Sequence, residues 1–389
     1  MVNMQNLDVI VVGGGIGGLT AAIALQRDGH RVRVYERADE LRPAGAGISL
    51  WSNGVKVLDA LGLGAEIAAV GGRMERMGYR DHHGKPLCEF SLAPLVERVG
   101  ERPYPVRRSD LQALLLAAAG PAVVRTGRPC VGVEDTGDGV VALLGDGERA
   151  EGDLLVAADG THSRLREHVV GAPTEREYVG YHNWNGLVPD ALALGDDPTT
   201  WMMHVGDGRR VSTMPVRDGQ YFFFDVPLAD PVPSGRPPQD ALREHFAGWD
   251  DRVQALIGAI DPAGLANVSI HTHAPLDRFA RGRVVLLGDS AHTTAPDLGQ
   301  GGCMAMEDAL VLSTYLSTTS LGVEDALERY SAERVPRAAD IVRRARDRAR
   351  VSHAVEPERT AAWYEELDGD DGVGIIDGIC KSIVTGPCR

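Results

Sequence analysis

The chain has 389 residues, a hydrophobic fraction of 43% and 47 glycines, the profile of a large globular protein with many close backbone approaches. Its formal net charge of −15 argues against nucleic acid and against an anionic membrane surface as partners. No apolar run reaches the roughly 18 residues of a membrane span, no signal-peptide pattern opens the chain, and the five cysteines form no metal-like array, so a reduced, cytoplasmic protein without a metal is expected.

Leu7 to Val12 is an apolar run of the buried parallel-strand kind. Gly13-x-Gly15-x-x-Gly18, with Ile16 inside it, follows at once, and Leu19 to Arg27 predicts a helix stopped by Gly29. Arg31 to Glu36 alternates as a second strand ending on an acid. In such a βαβ unit the first glycine permits the tight turn and the second lets backbone approach a pyrophosphate. The third closes helix onto strand, and the acid about 20 residues on meets a ribose. Alternating strands with turns at Gly137-Asp138-Gly139 and Gly145-Asp146-Gly147 feed an apolar strand from Asp153 to Ala158. From 173 to 274 the chain reads as strand-rich, with runs at Arg210–Met214 and Tyr221–Val226. Prolines near 227–238 predict a loop before a helix at Asp240–Phe246. Arg283 to Leu287 returns to buried-strand character, and helices follow from Cys303 to Leu316 and from Glu324 to Val351, with a kink at Pro336.

Only one dinucleotide fingerprint exists, since Gly372-Val373-Gly374 lacks the third glycine and the preceding strand. An NAD dehydrogenase needs no second glycine–aspartate strand end, yet Gly288-Asp289 supplies one. Pro296-Asp297-Leu298-Gly299-Gln300-Gly301-Gly302 then leads into a helix. Small residues there let a flat ring approach, and a helix N-terminus stabilises negative charge on a reduced flavin. Other candidates are weaker. His271-Thr272-His273 has strand-borne metal spacing but no third ligand nearby, and His292 reads as a packed structural histidine. Cys303 opens a helix, where a thiol pKa can fall, but no catalytic partner accompanies it. The arginines at 343, 344, 346, 348 and 350 read as a solvated or intersubunit helix face.

Gly13–Gly18 with Glu36-Arg37, Ala158-Asp159-Gly160-Thr161-His162-Ser163, and Gly288-Asp289-Ser290-Ala291-His292 through Asp308-Ala309 together resemble the group A flavoprotein aromatic hydroxylases, the para-hydroxybenzoate hydroxylase-like family. The resemblance covers nearly the whole chain. It implies an α/β fold: a Rossmann-like FAD-binding domain of the glutathione reductase type, with an inserted β-sheet substrate domain and C-terminal helices. The FAD-binding part would occupy 1–72, 101–172 and 276–389, and the substrate part 73–100 and 173–275. It also implies FAD as cofactor, NADH (or NADPH) as reductant and O2 as co-substrate. By the same resemblance Glu36 and Arg37 meet the adenosine, Arg108 the phosphate side and Asp289 the ribityl chain. Gly13, Gly15, Ile16, Gly18, Gly47, Val131, Asp159, Gly299, Gly301 and Gly302 complete the cofactor contacts.

Within that family the chain is most similar to the urate hydroxylases of purine catabolism. The likeness runs through Gly45–Ser49, Asn183–Val188, Tyr221–Pro227, Pro296–Cys303 and Ser382–Pro387. It implies Arg210 and Tyr221 holding the purine and Asp297 assisting its deprotonation. A planar guanidinium suits a planar urate anion. The interval before Tyr221 is one residue shorter than the family pattern, and a one-residue shift turns a strand side chain over, which leaves Phe222 or Phe224 as alternatives. The expected reaction is hydroxylation of urate at C5 to 5-hydroxyisourate, with another heteroaromatic or natural-product substrate as the alternative. A monomer or homodimer is expected.

Overall fold

The computed structural model describes residues 6–41, 45–228, 237–318, 321–384 and 386. The proline-rich stretch at 229–236 and the end of the Ser382–Pro387 motif therefore lie outside the described residues. Val9, Ile10 and Val11 are fully buried, as a strand covered on both faces requires. That strand, Asp8–Val12, is the centre of a six-stranded sheet. Parallel neighbours on one side are Arg31–Tyr35 and Val124–Arg125, and on the other Leu154–Ala157 and Val284–Leu286, with antiparallel Ala280–Arg281 at the edge. The helix Ile16–Arg27 starts three residues earlier than the apolar pattern alone suggests, because the glycine loop runs directly into its first turn.

A three-stranded meander (Cys130–Asp135, Val140–Leu144, Arg149–Gly152) precedes the strand Leu154–Ala157. The second large sheet has seven strands in the order 266–273, 176–188, 219–227, 209–216, 200–206, 76–81 and 86–91. Its two faces are different. Phe222, Phe224 and Val226 point outward into a separate apolar cluster with Trp184, Leu242 and Phe246, roofed by helices Pro238–His245 and Asp251–Ala259. Alternation sends Tyr221, Phe223 and Asp225 to the opposite face, towards the body of the molecule. The fold is thus the expected α/β architecture: a Rossmann-like sheet, an inserted β-sheet and C-terminal helices.

The helix Val323–Ser352 runs for 30 residues through Pro336 without a break. Pro336 is exposed, while Arg334 and Arg337 on either side point inward and are buried. The helix pattern also continues beyond the expected elements, with Ser52–Ala60, Arg108–Ala119, Pro357–Leu367 and Val373–Ile383.

Candidate active site

The three glycine-bearing segments end side by side. Val12, Ala157 and Leu286 occupy matching register positions on three adjacent parallel strands, so the loops after them open on one crevice. Ligands of open α/β sheets bind at such carboxyl ends. Gly13 has φ +108°, and a methyl group there would overlap the Ala158 carbonyl; one at Gly18 would overlap the Gly13 carbonyl. Gly15 differs: its Cβ direction is open, and it precedes a 12-residue helix that has no side-chain cap. Glu36 is fixed beside it, accepting from Gly14 N at 2.7 Å and Ala38 N at 2.9 Å. Arg37 is exposed next to it, and Val131 is exposed on the meander.

The distant motifs converge on the same crevice. A methyl group at Gly17 would sit 2.7 Å from Leu287 and 3.2 Å from Ala305, and one at Gly288 3.0 Å from Ala305. Asp289 is exposed at the start of its short helix, near Gly301. Asp159 accepts from Arg164 N at 3.0 Å through one carboxylate oxygen, while the other is buried without a partner. Arg108 lies across from the 45–47 segment, with its N–H on the Ala46 carbonyl at 3.1 Å. Gly302 abuts Ile48, and Gly299, at φ +63°, abuts Trp51 Nε1 and Ser49 Oγ. Helix Gly301–Leu316 likewise begins without a side-chain cap. An open Gly15, a placed Glu36, an orphaned Asp159 oxygen and two uncapped helix N-termini fit an extended dinucleotide carrying a flat ring.

On the facing sheet, Tyr221 packs its ring against Gly47. Burial pushes its phenol up to about 12 despite the opposing pull of Arg108, so it stays a protonated donor. Phe222 and Phe224 belong to the outer apolar cluster, so of the three candidates Tyr221 lies on the face towards the glycine loops. Arg210 is buried on the same face, its guanidinium 5.2 Å from the Phe223 ring. Its Nε and Nη2 donate to Asp225 Oδ2 at 2.9 and 2.7 Å, and Nη2 lies 3.5 Å from Asp297 Oδ1. Burial opposes the arginine's charge, but Asp225 and Asp297 outweigh it and hold the pKa above its ordinary value.

Asp297 is fully enclosed. It accepts from Tyr181 Oη at 2.7 Å and sits 3.1 Å from His353 Nε2; the Tyr181 and His353 rings stack at 3.7 Å. Burial alone would raise its pKa, yet His353, Arg210 and Tyr181 hold it at about 2. Such a carboxylate is a weak base. Sequence reading missed Asp225, Tyr181 and His353. The one available signal was the acid ending the Tyr-Phe-Phe-Phe run, since a buried aspartate requires a cation.

The remaining candidates have structural partners. His292 Nε2 is 2.6 Å from Asp308 Oδ2, which also accepts from Gly288 N at 2.9 Å, so the pair clamps the strand end before Asp289. His273 Nε2 meets Arg166 Nη1 at 2.9 Å, and burial followed by the arginine lowers its pKa to about 4. The Cys303 thiol is not activated by its helix position: burial pushes it up to about 12. The arginine-rich helix face is partly solvated, with Arg343 and Arg350 exposed, and also makes bonds within the chain. Arg344, Arg346 and Arg350 bond to Ser382, Thr272 and Glu356, and Arg348 stacks on Trp363, so most of this face is tied within the chain.

Comparisons with known proteins agree with this geometry. The FAD binding domain family matches residues 6–345. The FAD-dependent urate hydroxylase of Mycolicibacterium vanbaalenii is 48% identical over 387 residues, covering 98% of each chain. That of Klebsiella pneumoniae is 47% identical, covering 98% of this chain and all of its own. The crystal structure of Klebsiella pneumoniae HpxO complexed with FAD and uric acid superposes with a TM-score of 0.94 at 45% identity, over 98% of both chains. With the glycine crevice and the facing sheet in place, the chain belongs to the FAD-binding-domain family, among the group A flavoprotein hydroxylases.

Proposed function

We propose that this chain is an FAD-dependent urate hydroxylase. It consumes urate, O2, NADH (or NADPH) and a proton, and releases 5-hydroxyisourate, water and the oxidised nicotinamide. The observation that carries the reading is the shared face of Arg210, Tyr221 and Phe223, opposite Gly47 and the loop ending at Gly302. Bound FAD, once reduced, supplies the activated oxygen atom.

The protein's own contribution is placement. Gly13, Gly15, Ile16 and Gly18 with Glu36 and Arg37 hold the adenosine and pyrophosphate. Arg108, Val131, Asp159 and Asp289 hold the middle of the cofactor, and Gly47, Gly299, Gly301 and Gly302 admit the ring. Arg210 spends Nε and Nη2 on Asp225, which leaves Nη1 for the anionic edge of urate. Tyr221, kept neutral, donates to a ring acceptor. Asp297, kept charged by His353, Arg210 and Tyr181, orients Arg210 against the ring. Trp51, Met203 and Met214, all nearly fully buried, keep water from the reacting face. The same reading assigns residues 1–72, 101–172 and 276–389 to cofactor binding and 73–100 and 173–275 to substrate binding, a division supported by sheet membership.

The decisive test is a panel of purines and small aromatic acids screened for stimulated NADH oxidation and O2 uptake. Urate should stimulate both. A panel in which urate is inert and another ring is turned over overturns the substrate.

A further inference from the structure

Between the ring-binding arginine and the glycine-rich segment on the cofactor side runs an unbroken line of hydrogen bonds. Arg210, Asp225 and Asn183 stand opposite one another on three neighbouring strands. Arg210 donates to Asp225 Oδ2, and Asn183 Nδ2 donates to Asp225 Oδ1 at 2.7 Å. Two residues along the same strand face, Asn185 Nδ2 donates to Asn183 Oδ1 at 2.8 Å. Asn185 Oδ1 then accepts from the Ala46 backbone N–H at 3.1 Å.

The polarity of this line is locked at both ends. A backbone N–H can only donate, and an ionised carboxylate can only accept, so neither amide can flip without losing a bond. Asn185 and Asp225 are buried, which removes water as a substitute partner. The Asn-x-Asn spacing places both amides on one face of the strand, an arrangement that packing alone does not require.

We propose that Asn183 and Asn185 are positioning residues that tie the Ala46 backbone to the Arg210–Asp225 ion pair. A ring anion bound at Arg210 is thereby felt at residues 45–47, next to the cofactor crevice. The identity of that anion rests on the reading above; the relay itself does not.

Amide hydrogen exchange on the flavin-loaded protein tests it. Asn185→Asp is nearly isosteric but sets two acceptors against each other, and Asn183→Asp opposes Asp225 with a second acid; retained flavin absorbance and thermal midpoint report folding. Without any ligand, Asn183→Asp should speed exchange of the peptide 45–50 by at least about fivefold, the lower end of coupling between sites. Unchanged exchange there overturns the relay whatever the substrate. With urate added, wild-type protein should gain protection in 45–50 and Asn185→Asp should not; equal protection in both overturns the proposal. If urate stimulates no NADH oxidation in the wild type, the substrate reading falls, and the ligand-free comparison still decides the relay.

Discussion

Arg210 stands between two carboxylates, and its value to the site depends on geometry more than charge. Lysine keeps the charge but not the fork, and a charged hydrogen bond contributes about 1.5–3 kcal/mol. Arg210→Lys is therefore expected to lower kcat/KM for urate by about one to two orders of magnitude while flavin absorbance is retained, a result that steady-state kinetics would show. Asp297 carries a pH signature. Its pKa is depressed from 3.8 to about 2, so its stabilising contribution is fully present above the unfolded value and disappears as pH falls through the folded one. That difference corresponds to about 2 kcal/mol. Denaturant melts should find Asp297→Asn destabilised near neutrality, with the gap to wild type closing between about pH 4 and pH 2. Cys303, with its thiol pushed up to about 12, should resist alkylation in the folded protein at neutral pH and react only after unfolding, as mass spectrometry would record. These three residues were visible in the sequence as types. Their partners were not, because His353 and Tyr181 lie 56 and 116 positions from Asp297 and meet it only in three dimensions.

The glycine loop and its helix act as one element. Gly13 combines a positive φ with direct overlap of any side chain on the Ala158 carbonyl. Gly13→Ala should cost about 1–3 kcal/mol in backbone strain alone and yield protein with little or no bound flavin, visible as lost absorbance near the flavin bands. This element was legible because strand, glycines, helix and acid follow each other within Leu7 to Glu36, where local rules suffice. Helices such as Arg108–Ala119 and Pro357–Leu367 were not: they bury narrow faces, such as Leu111 and Leu115 of the first, in a core assembled from distant segments, and carry no side-chain cap. The long helix Val323–Ser352 was legible from its pattern. It continues through Pro336, as the single expected span from Glu324 to Val351 requires, with the proline on the exposed side. The buried arginines flanking it are held by Asp308 and Glu307 at 2.6 to 3.0 Å.

At the scale of the whole molecule, the cofactor crevice lies between segments that the chain visits at its start, middle and end. A ligand bound only by the folded state stabilises it by mass action, about 2.7 kcal/mol at a hundredfold excess over Kd. Stripping FAD should lower the thermal midpoint, and restoring it should raise the midpoint in a concentration-dependent way; equal midpoints with and without FAD would contradict a single crevice. The sequence by itself determined the dinucleotide fold, because glycine spacing and strand pattern are local properties of the chain, and the set of three motifs carried the resemblance that gave the flavin reading. Only the tertiary structure decided that Tyr221 rather than Phe222 or Phe224 faces the glycine loops, that Asp297 is partnered by Tyr181, His353 and Arg210, and that most of the arginine-rich helix face makes bonds within the chain. Each of those depends on which distant side chain approaches within about 3 Å, and hydrogen bonds and ion pairs act only at that range.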